Sequence, residues 1–207
     1  GCRRDKSLSA LANELIAKYG AAGQELDLDE VQAAFPTWKK RRLYDVMCVC
    51  QCLRVVVRQG KAQFIWRGIS QVQDAVRDIL LRNEAGFHHP LSQGRPGLKA
   101  RRGSFDREEP SVPITGLAFL CQQFVLLLRE REQKDLPTAI GLEDATSQLC
   151  HRVGSNDHKT VLRRLYDVIN VLEALELLAR PSGLRRSVAW CGPSLLVDVP
   201  KLQPGAA

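Results

Sequence analysis

The chain has 207 residues, 44% of them hydrophobic, and a formal net charge of +7. No apolar run approaches the roughly 20 residues that a membrane helix needs. Its seven cysteines, odd in number and irregular in spacing, read as reduced thiols and not as a disulfide framework. The excess charge sits mostly in residues 1–68, which hold 12 Lys and Arg against 7 Asp and Glu. That suits a polyanionic partner, and equally a merely basic surface. The chain opens Gly1-Cys2 and its only methionine is Met47, so it reads as a fragment of a longer protein.

Ser7 stands as a candidate N-cap ahead of Leu8, Leu11, Leu15 and Ile16. Their helical spacing predicts a first helix that ends at Gly20 to Gly23. A second helix is expected from near Asp27, with Asp29 and Glu30 in its first turn, where acidic groups suit the helix dipole. Leu28, Val31 and Phe35 line one side of it, and Pro36 stops it. A third helix is predicted from about Thr37 to Leu53. Val55 to Arg58 and Gln63 to Arg67 then form a hairpin around Gln59-Gly60-Lys61. Three helices followed by a β-hairpin is the order of a winged-helix domain.

Ile69, Val72, Val76, Ile79 and Leu80 predict a short amphipathic helix, packed on this first domain or on a partner. From Asn83 to Pro110 the chain is rich in Gly, Pro, Ser and Arg and reads as a flexible linker. Its Arg95, Lys99, Arg101 and Arg102 are either solvated or in reach of phosphate.

Beyond the linker the same order returns. Helices are expected at about Ile114 to Arg129, Leu142 to His151 and Asp157 to Leu177, then a hairpin turning at Pro181-Ser182-Gly183 and ending at Trp190. The phrase Arg41-Arg42-Leu43-Tyr44-Asp45-Val46 recurs as Arg163-Arg164-Leu165-Tyr166-Asp167-Val168, at an offset of 122. Leu28, Val31 and Phe35 answer to Leu142, Ala145 and Leu149 at an offset of 114. Leu8, Leu11 and Leu15 answer to Leu117, Leu120 and Phe124 at 109, and Trp66 to Trp190 at 124. The offset changes only where loops would sit, so the chain holds two copies of one small domain. The expected class is α+β, mainly α, with tandem winged-helix domains at 3–68 and 110–193. Residues 69–109 join them and 194–207 form a tail.

The third helix of each copy carries the chemistry. Leu43, Val46, Cys50 and Leu53 share one face, which must be the core seam. Thr37, Arg41 and Tyr44 point nearly opposite, with Lys40 on the flank; in the second copy the matching stripe is Lys159, Arg163 and Tyr166. Each copy thus presents an arginine and a tyrosine near the start of a helix that follows a short turn, where a recognition helix reaches base edges. An arginine fork donates two hydrogen bonds to guanine O6 and N7. Arg42 and Arg164 sit about 60° from the middle of the apolar face. They either snorkel outward to bases or brace Asp45 and Asp167 as structural ion pairs. The same frame in both copies favours reading. Asp45 and Asp167 oppose phosphate and are expected to orient the arginines.

Lys39, Arg58, Lys61, Arg67, Arg185 and Arg186 are candidate phosphate contacts from helix and wing, adding affinity but little sequence information. Trp66 and Trp190 read as hairpin core. Cys48, Cys50 and Cys52 turn about 200° apart at each step, so they read as small buried hydrophobes and not as a metal site. No histidine falls at a ligand spacing, and no cofactor is expected.

The repeated Arg-Arg-Leu-Tyr-Asp-Val phrase, with Asn170-Val171-Leu172-Glu173-Ala174-Leu175 following it, resembles the recognition helix of the E2 factor family, winged-helix transcription factors of the cell cycle. Arg4-Asp5-Lys6-Ser7-Leu8 resembles that family's domain opening. Two tandem copies resemble its atypical branch, which binds DNA without a dimerisation partner and mostly represses. The resemblance implies that Arg41, Arg42, Arg163 and Arg164 read guanines in a GC-rich core of double-stranded DNA. Tyr44, Tyr166, Lys39, Lys40, Lys159, Lys61, Arg185 and Arg186 would support them. Arg3 and Arg4 would lie in an arm at a flanking A/T minor groove, with Lys6 as a further supporting contact. It further implies a nuclear repressor of cell-cycle genes, with a homodimer or a related family member as a further partner. Two departures stand out: the three cysteines in the first copy, and Glu108-Glu109-Pro110 where the family places basic residues. The rivals are a family member that needs a dimerisation partner and a winged-helix protein-interaction module. No phosphate-binding Gly-rich loop, metal cluster or nucleophile motif speaks for an enzyme.

Overall fold

The computed structural model describes residues 8–84, 116–184 and 186–197. The expected Ser7 cap, the arm residues Arg3 and Arg4, Lys6, most of the linker and Arg185 lie outside them.

The first copy begins with α1 (Leu8–Tyr19), whose Leu8, Leu11, Ala12 and Leu15 are buried. A short strand, β1 (Glu25–Asp27), leads into α2 (Leu28–Ala34). The Asp27 carboxylate caps α2 by accepting from the Asp29 amide at 2.8 Å. The third helix, α3, spans Lys40–Cys52, and the hairpin strands are β2 (Val56–Arg58) and β3 (Gln63–Trp66). A 3-10 turn at Ile69–Gln71 then enters α4 (Val72–Glu84). The second copy runs α5 (Gly116–Gln133), β4 (Ala139–Gly141), α6 (Leu142–Val153), α7 (His158–Ala174), β5 (Leu178–Ala179) and β6 (Ser187–Trp190).

Both sheets are antiparallel, with the same order: β1-β3-β2 and β4-β6-β5. The third strand of each, β1 and β4, is absent from the sequence reading. Three residues show no alternation to detect, and they exist because β3 and β6 offer a free edge. Register is set by Leu26 opposite Phe64 and Ile140 opposite Val188. All four side chains are buried.

The third helix starts at Lys40, not at Thr37. Trp38 explains the delay. Its indole is buried and donates to the Glu14 carboxylate on α1 at 3.2 Å, while Gln32 donates to its carbonyl at 2.7 Å. A helical backbone at 37–39 would give up this anchor. The far ends of α3 and α7 match closely. Arg54 and Glu176, at the shared offset of 122, both adopt positive φ (56° and 59°). The next amides, of Val55 and Leu177, bond back to the carbonyls of Cys50 and Leu172 at 2.9 Å. At the end of α6 a glycine, Gly154 at φ 63°, fills the same conformational role.

The two copies do not keep separate cores. One hydrophobic cluster runs through both. In it α1 packs on α7 of the other copy and α3 packs on α5, two crossings related by the repeat. The helix α5 is buried on nearly every side, as an apolar helix without a polar face must be. The amphipathic helix α4 lies against α5, and so against the second copy, while its Asp78 pairs with Arg54 at the end of α3. The tail folds back as well. Ser194 Oγ and the Leu195 amide both donate to the Glu132 carboxylate, at 2.7 and 3.0 Å, and Leu195 is buried.

Candidate nucleic-acid interface

The starts of α3 and α7 lie side by side. Lys39, Arg41, Arg42 and Asp45 from the first copy, with Arg163, Arg164 and Asp167 from the second, line one cleft of about 360 Å³. Five cationic groups thus converge with two carboxylates. Such a surface repels itself in the free protein and is relieved by a polyanion.

The carboxylates work across the copies. Arg42 donates to Asp45 one turn along its own helix at 3.4 Å, and to Asp167 of the other helix at 3.1 Å. Arg164 meets the other oxygen of Asp167 at 3.4 Å. Asp167 is therefore held by two guanidinium groups, and its side chain is only 12% exposed. Arg42 and Arg164 brace the aspartates and, at 46% and 29% side-chain exposure, still reach solvent. Arg41 and Arg163 are exposed.

Local folding explains these positions. Asp157 caps α7 by accepting from the Thr160 amide at 3.0 Å. Hydrogen bonds from the Thr160 side chain and then its amide hold the Asp157 carboxyl below its ordinary value. The α3 start has no side-chain cap. There Lys40 pairs with Asp29 of α2, and that hydrogen bond raises the Lys40 ammonium above its usual range. Lys40 is thus tied to the helix before it, whereas Lys39 and Lys159 are exposed.

The remaining expected residues divide. Tyr44 is exposed, whereas Tyr166 is half-buried against the core. Lys61 is exposed at the tip of the first wing. Arg58, read as a phosphate contact, commits its guanidinium to its own turn, donating to the carbonyls of Gly60 at 2.8 Å and Lys61 at 2.6 Å. It shapes the wing. Arg186 is 74% exposed and lies 3.7 Å from Glu143. Trp66 is buried; Trp190 is half-buried and donates to the Pro193 carbonyl at 2.8 Å. Trp38 went unread as a support of the turn before α3; a large aromatic directly after Pro36-Thr37 was the available signal.

A larger groove of about 810 Å³ flanks the cleft. Arg41, Tyr44 and Cys48 of α3 face Leu117 and Leu120 of α5 across it, with Gly154 and Asp157 at the turn before α7.

Comparison with known proteins agrees with this architecture. The winged-helix DNA-binding domain of the E2 factor/DP family matches residues 4–68 and again 114–192. Transcription factor E2F8 of Xenopus tropicalis is 27% identical over 240 residues, covering 95% of this chain and 32% of the relative. Transcription factor E2F7 of Danio rerio is 27% identical over 214 residues, covering 92% of this chain and 28% of the relative. The transcription factor-like protein E2FF of Arabidopsis thaliana is 25% identical over 222 residues, covering 95% of this chain and 60% of its own length. The chain spans a third or less of the length of the first two. With two matched segments, a paired set of recognition helices and relatives from the atypical branch, the chain belongs to the E2 factor/DP family of winged-helix DNA-binding domains.

Proposed function

We propose that this chain binds double-stranded DNA sequence-specifically without a separate dimerisation partner, and that it serves in the nucleus as a repressor of cell-cycle genes. The observation that carries the reading is the shared cleft, in which Asp167 joins Arg42 of one recognition helix to Arg164 of the other. Arg41, Arg42, Arg163 and Arg164 would read guanines of a GC-rich core, with Arg42 and Arg164 aligned by Asp45 and Asp167. Tyr44, Tyr166, Lys39, Lys159, Lys6, Lys61, Arg185 and Arg186 would support the duplex contact, and Arg3 and Arg4 would lie in an arm at the flanking A/T minor groove. The crossings α1 on α7 and α3 on α5 occupy helix faces that a partner protein would otherwise need to cover, which supports partner-free binding.

The test is a fluorescence-anisotropy titration of this chain alone onto a GC-core duplex and a scrambled duplex. A nanomolar preference for the GC core is expected. If about 6 phosphates are neutralised, the log–log slope of affinity against salt should lie near −5. Weak and equal binding to both duplexes overturns partner-free reading. A nearly flat salt response overturns DNA binding itself.

A further inference from the structure

We propose that Cys52 and Cys121 form a disulfide site that joins the two copies under peroxide-class oxidants. Cys52 ends α3 of the first copy, and Cys121 lies within α5 of the second. The Cys52 thiol donates to the Ala118 carbonyl at 3.7 Å. Ala118 sits one turn before Cys121 on the same face of α5. The Cys52 side chain is also the largest influence raising the Cys121 thiol. The Cys52 sulfur thus lies within one turn of Cys121 across the crossing. A disulfide needs Cα atoms about 4.4–6.8 Å apart, a separation that the close packing of α3 on α5 offers.

The fold does not require sulfur here. The offsets that align the copies put Ala12 and Ala174 at the related crossing of α1 and α7. A close crossing needs small side chains, and alanine supplies them. Nor is this a metal site: among the described residues no group of three or more His, Cys, Asp or Glu is placed to hold an ion.

The two thiols divide the chemistry by access. Cys52 is half-buried and open to a small oxidant, whereas Cys121 is fully buried. The Cys52 side chain and then burial push the Cys121 thiol up, which disfavours its thiolate as the first to attack the oxidant. Cys52 sulfur attacks hydrogen peroxide; an S–O bond forms, the O–O bond breaks, and water leaves with the thiol proton. The sulfur of Cys121 then attacks the Cys52 sulfenic acid. The S–S bond forms, the S–O bond breaks, and the departing hydroxide takes the Cys121 proton as a second water. Two thiols and one peroxide become one disulfide and two waters. The bridge closes the chain between residues 52 and 121 and fixes the first recognition helix to the other copy.

The experiment exposes the reduced chain to a small molar excess of hydrogen peroxide, followed by non-reducing tryptic mapping. The expected product links Leu43–Arg54 to Glu108–Arg129. It should persist in Cys48→Ser and Cys50→Ser and vanish in Cys52→Ser and in Cys121→Ala, which takes the residue of the related crossing. The oxidised wild type should also melt at higher temperature than its reduced form, with no such rise in Cys52→Ser. A link that survives in Cys52→Ser assigns the bridge to another sulfur and overturns the proposal. So does oxidation without any link.

Discussion

Arg42 and Asp167 stand 125 positions apart in the chain and 3.1 Å apart in the fold, and the same carboxylate holds Arg164. One buried acid therefore sets the posture of an arginine on each recognition helix. Removing it should leave two cations facing each other, with only Asp45 still paired to Arg42. Asp167→Ala is expected to cost about 1–2 kcal/mol, a figure kept low because Arg42 is half-exposed and screened. Urea unfolding checks it, and a variant as stable as the parent would show that the pairs contribute nothing net.

Arg41 and Arg163 have no such brace, and their value should appear on DNA alone. Arg41→Ala and Arg163→Ala are each expected to lose about 1–3 kcal/mol of discrimination between the GC core and a substituted core. Stability should barely change, because both side chains are exposed. Competition anisotropy with single-base variants reads the loss. Unchanged base preference would mean that the reading face is elsewhere.

Asp157 links the start of α7 to pH. Its folded carboxyl titrates below the ordinary 3.8, so the ionised cap favours the folded state at neutral pH. That contribution is fully present above the ordinary carboxylate range and fades as pH falls below it, through the depressed folded value. Asp157→Ala should therefore unfold at lower urea than the parent at pH 7, and the gap should narrow near pH 3. A gap that is constant with pH would assign the effect to packing instead of charge.

Glu176 holds a left-handed backbone at a helix end. Its positive φ costs a residue with a Cβ roughly 1–2 kcal/mol, partly offset because glycine loses more entropy on folding. Glu176→Gly is expected to stabilise by about 0.5 kcal/mol, measured as a higher urea midpoint. The equivalent Arg54→Gly should gain less, since it also gives up the pair with Asp78.

The sequence and the fold part company at definable places. The seam of α3 was legible because Leu43, Val46 and Cys50 keep helical spacing, and the repeat doubled that signal. The angle of Arg42 from the apolar face already hinted at a brace on Asp45. Its second partner was illegible, since nothing local to α3 names a residue on α7. The strands β1 and β4 were too short to show a period. The position of α4 on the second copy was hidden for the same reason as the Arg42 pair: an apolar stripe says that a face is covered, not by what. The run from Leu117 to Leu128, apolar but for Gln122 and Gln123, did carry a usable signal, since a helix with so little polar surface must sit inside something.

That placement of α5 has a consequence for how the molecule fails. Phe124 is fully buried in a cluster common to both copies, remote in sequence from either arginine pair. Truncating it to alanine removes about 3–5 kcal/mol from one cooperative body, not from half of it. Damage at this point should unfold both copies together, so the chain behaves as an all-or-none device in which neither copy can be lost alone through its core.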